Sequence, residues 1–355
     1  MDKVIEIDPI QDTRWDAFVN KHSFGWVVHL SGWKQVLETT FPHMKGHYLT
    51  LINETTGEIR AALPVFEVNS WILGRRLVSI PFATLCDPLV SQGRDVESLL
   101  DRVIDLSRQV KASMIEIRTI QSPSMMQDGR LAEGKLFKHH SIILDKSLEE
   151  LKMKLHRTAV RKEITKADKL KLTLKVAESE SDVHTFYDIY QKARRRLDLP
   201  AQPYEFFKSL WTVFHTEKRV RLLLAQKDGN IISGLIVLTY KDRCSAEYIG
   251  TDIAYRDVSA DHYLIWQAIR MAHCEKFKIF DFGRTAITHE NIMIFKSRWG
   301  TEVTDLPQYY YPPKGAVLSS NLEESLSYRL IRKICHHAPE AFFPYIGKFC
   351  YRHLG

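Results

Sequence analysis

Apolar and polar positions alternate over residues 47–66, HYLTLINETTGEIRAALPVF, with a polar turn at Gly57. Alternation of that kind predicts two strands joined by a turn. Residues 220–238, VRLLLAQKDGNIISGLIVL, repeat the pattern, and here the turn is Asp228-Gly229, a pair that favours a tight hairpin. Each hairpin is followed by a further apolar strand, RRLVSIPF or CSAEYIGT. Each then meets a helical stretch, DVESLLDRVIDLSRQV or DHYLIWQAIRMAH, and a short buried strand, MIEIRTI or KIFDFGR. A hairpin–strand–helix–strand series that occurs twice predicts a duplicated domain.

Ser147 and Glu150 have the S-x-x-E spacing of a capping box, which predicts a helix start and, with it, a domain boundary. The expected division is 1–147 for the first domain, 148–315 for the second, and 316–355 for a basic, aromatic helical tail. In LEELKMKLHRTAVRKEITKADKL, three- and four-residue steps bring Leu148, Leu151, Leu155, Ala159, Ile164 and Ala167 near one face, so a single helix is predicted. The strand KLTLKV, two helices across residues 181–215, and a last strand TEVTDLPQYYY complete the second half. With an antiparallel hairpin at its centre, that order predicts an α/β (α+β) fold. Its mixed sheet would splay where the hairpin meets the later strands.

Composition narrows the classes. A chain of 355 residues is longer than one core usually serves, and 45% hydrophobic with 26% charged residues suits a globular protein. The net charge of +7 permits anionic partners such as nucleotides, RNA or lipid head groups. The N-terminal stretch MDKVIEIDPIQDTRWDAF has no apolar core of signal-peptide length, and no run is long enough to span a bilayer. Cys86, Cys244, Cys274, Cys335 and Cys350 are scattered without a C-x-x-C pair, so neither a disulfide framework nor a metal site is expected. A cytoplasmic setting follows.

Candidate chemistry concentrates in residues 280–300, FDFGRTAITHENIMIFKSRWG. Gly283 would let backbone approach a ligand, and Arg284 follows at a strand end, where α/β proteins place their sites. Residues 291–296 predict a short helix with Phe295 turned inward. Lys296 would offer an ammonium to a developing oxyanion or a phosphate. The competing reading makes Lys296 and Arg298 a solvated helix face, with Trp299 filling the core. On the basic helix, Lys154, Arg157 and Arg161 share one side and, with Lys162, suit sequence-blind phosphate contact. Glu149, Glu150, Glu163 and Asp168 are interspersed among them, so an ordinary solvated helix stays open. The turn YRDVSAD, residues 255–261, precedes a helix N-terminus, a natural anion site. It has no glycine, and Asp257 and Asp261 oppose a pyrophosphate, so a tight coenzyme A cradle is not expected. Glu247 could act as a general base, with Tyr248 as the alternative, since adjacent strand residues face opposite sides. Either could equally be a plain strand residue. The doublets His139-His140 and His336-His337, and His289, give no triad spacing.

The duplicated series and the phrase FDFGR…FKSRWG resemble the FemAB family, the double-domain branch of the GNAT N-acyltransferase superfamily. So do LHRTAVRKEITKADK, ARRRLDLPAQPYEFF and WVVHLSGWKQVLETTFPH, and the likeness covers residues 1–313. It implies tandem GNAT-like folds sharing a cleft, and transfer of an aminoacyl group from charged tRNA to an amine of a peptidoglycan precursor. It places Phe295 and Lys296 at the acyl-transfer centre, with Arg284, Arg298, Trp299, Trp33 and Asp87 as substrate-binding candidates. Lys154, Arg157, Arg161 and Lys162 would meet tRNA phosphates. No cofactor is implied beyond the donor itself, aminoacyl-tRNA or acyl-CoA. Two departures weigh against a muramyl-peptide acceptor. Leu37 stands four residues after Trp33, where bridge-forming relatives often carry lysine, and the strand end reads FGR where those relatives more often have a second glycine. The resemblance is nearest to members associated with exopolysaccharide and cell-envelope gene sets. An acyl-CoA-dependent sugar N-acyltransferase and a non-catalytic envelope-assembly or RNA-binding module are the alternatives. In the tail, Arg329, Arg332, Lys333, Lys348 and Arg352 mix with Phe342, Phe343, Ile346 and Phe349. That mixture suits either peripheral contact with the inner face of an anionic membrane or a helix pair packed on the second domain.

Overall fold

A computed structural model describes residues 2–70, 74–313 and 326–353, with side chains in the last stretch from Leu330 onward. The chain forms two compact units. One holds Met1–Phe137, Asp305–Leu330 and Phe349–Gly355; the other holds Lys138–Thr304 and Ile331–Lys348. The first ten residues of the expected tail, 316–325, lie outside the described residues.

In the first unit, β1 (Asp2–Ile7), α1 (Arg14–Lys21) and α2 (Ser31–Thr40) lead to the hairpin β2 (Lys45–Asn53) and β3 (Ile59–Ser70). Then come β4 (Gly74–Val78), α3 (Gly93–Gln109), β5 (Met114–Arg118) and the start of β6 (Ala132–Ile143). The sheet order is β1-β2-β3-β4-β5 and then β12 (Glu302–Tyr311), antiparallel except where β4 meets β5. Leu99, Leu100 and Val103 of α3 pack on Leu63, Val65, Leu77, Ile115 and Ile117 of the sheet. Each such buried side chain stabilises the unit by roughly 1.5–3 kcal/mol.

In the second unit, α4 (Leu148–Lys154), a π-helical turn (Arg157–Arg161) and α5 (Lys162–Lys169) precede β7 (Thr173–Val176). Helices α6 (Glu180–Arg196) and α7 (Tyr204–Phe214) follow, then the hairpin β8 (Val220–Lys227) and β9 (Asn230–Tyr240). Its turn places Asp228 and Gly229 at φ of 51° and 81°, as the sequence pair predicts. Next come β10 (Arg243–Thr251), α8 (Ala260–Cys274), β11 (Ile279–Ala286) and α9 (Glu290–Ser297), in the sheet order β6-β11-β10-β9-β8-β7. The last helices are α10 (Leu326–His337) and α11 (Phe343–His353). The series β2-β3-β4-α3-β5 and β8-β9-β10-α8-β11 are thus the same series twice, each ending in a parallel pairing, β4 with β5 and β10 with β11. The mixed α/β fold stands as predicted.

The single helix expected over residues 148–170 is broken. The capping box is present: Glu150 N–H donates to Ser147 Oγ at 3.3 Å, and Ser147 N–H donates to the Glu150 carboxylate at 3.1 Å. Leu155, however, is extended, at φ −65° and ψ 141°. The cause is tertiary. His156 N–H donates to the Arg298 carbonyl at 2.8 Å, which an unbroken helix would forbid. Gly300 supports the same junction: its φ is +71°, and a Cβ there would lie 3.2 Å from the Lys154 carbonyl oxygen. The Trp-Gly pair of the sequence therefore ties α9 to the end of α4. In consequence Lys154 does not share a helical face with Arg157 and Arg161.

Candidate active site

Strands β10 and β11 pair only where Arg243–Ser245 meets Ile279–Asp281. Beyond that point β10 carries a bulge against β9 between Ala246 and Tyr248, so Glu247 is the extra residue of the ladder. A bulge of this kind bends its strand and re-aims the side chain it carries. On the β11 side the chain passes through Gly283 at φ +70°. Lys296, from α9, reaches back to this place: its Nζ donates to the carbonyls of Arg284 at 3.0 Å and Gly283 at 3.3 Å. Two carbonyls occupy two of an ammonium's three donors and leave one N–H for an incoming oxygen.

The electrostatics are those of a poised pair. Burial pushes the Glu247 carboxyl up from 4.5 to about 7, against a 2.6 Å hydrogen bond donated by the Ser245 hydroxyl. Burial brings the Lys296 ammonium down from 10.5 to about 8, opposed by the negative charges of Asp281 and Glu247 and assisted by Arg284. Behind them, Asp281 is fully buried and accepts from His139 Nε2 at 2.6 Å, Arg243 at 2.7 Å and Gly283 N–H at 2.5 Å. Burial alone would raise the Asp281 carboxyl; the charge on His139, its hydrogen bond and Arg243 together hold it below its ordinary range. Asp281 thereby fixes the Gly283 backbone whose carbonyl holds Lys296. Next to it, burial, followed by the charge of Lys296, takes His140 down to about 4, so this imidazole is neutral.

Residues 154–291 match the family model of the acetyltransferase (GNAT) domain. This stretch is a GNAT domain. No curated protein matches the chain by sequence. Among solved structures, the crystal structure of FemX is similar at 14% identity, covering 90% of this chain and 100% of that one with a TM-score of 0.71. L-PGS from Bacillus licheniformis is similar at 12% identity, 90% and 98% coverage, and a TM-score of 0.60. A tandem GNAT protein from the clavulanic acid biosynthesis pathway follows at 9% identity, 87% and 99% coverage, and a TM-score of 0.52. At such identities the likeness carries the fold: this chain has the tandem GNAT architecture.

The predicted residues separate into those brought together and those placed elsewhere. Lys296, Glu247 and Arg284 converge, each close enough that its charge bears on the others. Phe295, half-buried, meets the rings of His262 at 5.6 Å and Trp299 at 6.3 Å. Trp299 is buried in the core and stacks on His262. Arg298 has an exposed side chain, and its carbonyl serves the α4 junction. Tyr248 packs among the rings of Tyr190, Phe206 and Phe207. Arg157, Arg161 and Lys162 line a cavity of about 630 Å³ with Thr165, Lys166, Lys169 and Leu170, whereas Lys154 packs against Gly300. Trp33 and Asp87 lie in the first unit, both buried. Asp87 Oδ1 accepts from the N–H groups of Ile120, Gln121 and Ser122 at 2.7–2.9 Å, an arrangement that clamps a turn.

Sequence reasoning missed His139, His140 and Asp281. The histidine doublet gives no triad spacing and follows the charged Lys138, yet both rings are buried. Its partner Asp281 is far away in sequence. The usable signal was the apolar run Ile142-Ile143-Leu144 just after the doublet, which marks it as part of a buried strand.

Proposed function

We propose that the chain is an N-acyltransferase that moves an aminoacyl or acyl group from an activated ester to an amine of a cell-envelope precursor. The observation that carries this reading is the Lys296 ammonium, held on two backbone carbonyls in the gap between β10 and β11 beside Glu247. The amine nitrogen attacks the ester carbonyl carbon, and the carbonyl electron pair moves to oxygen. The free N–H of Lys296 meets that oxyanion, or the donor's terminal phosphate. Glu247, with a carboxyl near 7, is half ionised at neutral pH and takes the proton lost by the amine. Collapse of the tetrahedral centre re-forms the carbonyl and expels the donor's alkoxide, which the proton on Glu247 neutralises.

An aminoacyl-tRNA donor suits the site better than acyl-CoA. The N-terminus of α8, where a pyrophosphate would sit, carries Asp261 in its first turn. Ser259, in the left-handed conformation, donates its hydroxyl to Glu163 at 2.5 Å. Two carboxylates there repel a pyrophosphate. Arg157, Arg161, Lys162, Lys166 and Lys169 instead offer cations for an RNA backbone. The likeness to FemX and L-PGS supports the same donor class, and the envelope precursor, peptidoglycan or exopolysaccharide, follows from the family resemblance.

Capture of the full chain from cell extract tests this, with bound RNA sequenced and bound small molecules identified by mass spectrometry. Charged tRNA supports the proposal. A coenzyme A thioester would replace it with the sugar N-acyltransferase reading. Absence of any donor, with unchanged biological activity in Lys296→Ala, would leave a non-catalytic module.

A further inference from the structure

The sequence offers two readings of the last helices, packed or lipid-facing, and their two sides differ. Cys335 of α10 and Phe343 of α11 are fully buried, and Gly347 lies so near residue 201 that a Cβ would stand 2.2 Å from the Ala201 carbonyl oxygen. The Arg195 guanidinium donates to the Ala338 carbonyl at 2.9 Å. These contacts anchor the helices to the second unit. Phe343, expected on the outer surface, is therefore part of the packing.

The outward side is apolar. Ile334 is 45% exposed, Phe342 61% and Tyr345 71%, and Leu197 at the end of α6 is 52% exposed. Phe342 ends the 3-10 turn Glu340–Phe342 that leads into α11, and Tyr345 follows three residues later in its first turn, so the two exposed rings lie close together. Cations surround them: Arg332, Lys333 and Lys348, with Glu340 the one acid between residues 326 and 353. Between α6 and α10 opens a cavity of about 370 Å³ lined by Lys192, Arg195, Arg196, Asp198 and His336. Asp198 is engaged there with His336 at 2.9 Å and Arg332 at 4.0 Å.

We infer that this face of the second unit docks on an anionic lipid surface, with Phe342 and Tyr345 entering the acyl boundary and a head-group phosphate entering the cleft of Lys192, Arg195 and Arg196. Aromatic rings on an anchored helix, ringed by Lys and Arg, are the composition of an interfacial helix. Charge selects the occupant. A second copy would meet this face with the same sign across a two-fold axis, cation against cation, whereas anionic lipid complements it. The inference does not depend on the reading of Lys296.

Cosedimentation of the full chain with vesicles tests it. Vesicles of phosphatidylcholine with one-third phosphatidylglycerol should retain the protein, phosphatidylcholine alone should not, and raised salt should release it. Phe342→Ser/Tyr345→Ser should weaken retention roughly tenfold or more. Lys192→Gln/Arg196→Gln should weaken it roughly thirtyfold, at about one surface cation's attraction each. All four side chains are on the surface, so the melting temperature should not move; two independent pairs guard against one misfolding. Equal retention on both vesicle types, or full retention by both variant pairs, would overturn the inference. So would a dimer in light scattering that Phe342→Ser/Tyr345→Ser abolishes without any vesicle binding.

Discussion

In the first unit, β4 and β5 pair at Arg76–Val78 with Met114–Glu116, and the charges that follow are matched. Arg118 donates to Glu116 at 2.8 Å, both side chains buried, and Asp87 Oδ1 accepts from three backbone N–H groups and the Ser122 hydroxyl. In the second unit, β10 and β11 pair over an equally short stretch, and one matched set, Asp281 with His139 and Arg243, lies at its end. One step further the matching stops. Among the described residues no hydrogen bond joins Glu247 to Lys296, and both groups are driven toward neutrality by burial. A shared strand pairing thus serves stability in one unit, while in the other it holds two ionisable groups near their switching points. Perturbed groups in a strand gap mark chemistry more often than matched ones do.

The largest expected effect breaks that comparison from both sides. Lys296→Ala should lower transfer by about a hundredfold to a thousandfold with the melting temperature little changed. Arg118→Ala should do the reverse. It strands the buried Glu116 charge at a cost of about 3–5 kcal/mol, read by denaturant unfolding, while folded molecules keep their rate. Reversed outcomes would mean that the roles of the two units had been exchanged.

Next in size is pH. Transfer should rise as Glu247 ionises near 7 and fall as Lys296 loses its proton near 8, giving a narrow bell. Glu247→Gln should lower the maximum by about a hundredfold and flatten the acid limb. Stability moves with the same groups. The folded Glu247 carboxyl is raised, so its contribution is full below 4.5 and is lost as pH climbs through about 7. The folded Lys296 ammonium is depressed, so its contribution is full above 10.5 and is lost as pH falls through about 8. Melting curves of Glu247→Gln should therefore lie above the parent at pH values over 7, and coincident curves there would contradict a buried carboxylate.

The smallest effect concerns two glycines. Gly57 and Gly300 both have positive φ, but a Cβ at Gly57 meets only the end of the Arg14 side chain at 3.6 Å, whereas at Gly300 it meets the Lys154 backbone at 3.2 Å. Gly57→Ala should cost about 1 kcal/mol, and Gly300→Ala up to about 2 kcal/mol, because backbone cannot step aside as a side chain can. Thermal unfolding of the two variants sets the order.

How far these features could be read in advance depended on their range. The hairpins, α3, α8 and the repeated series are local, written in apolar period and in turn residues such as Asp228-Gly229. Lys296 stood out through the phrase around it. The break at Leu155 was hidden because its cause, the Arg298 carbonyl, is more than a hundred residues further along the chain. Glu247 could be narrowed to one of two neighbours but not chosen, since a bulge, not simple alternation, sets its direction. The His139–Asp281 contact joins β6 to β11, strands that the repeated pattern does not pair, so neither residue announced the other.

The central claim is that the half-buried Lys296 ammonium has a lowered proton affinity beside Glu247. Competitive acylation of all lysines across a pH series, read at each site by mass spectrometry, measures it directly. Lys296 should titrate near 8, well below the ordinary lysine range near 10.4. A Lys296 that titrates with the surface lysines and reacts as fast as they do would contradict it.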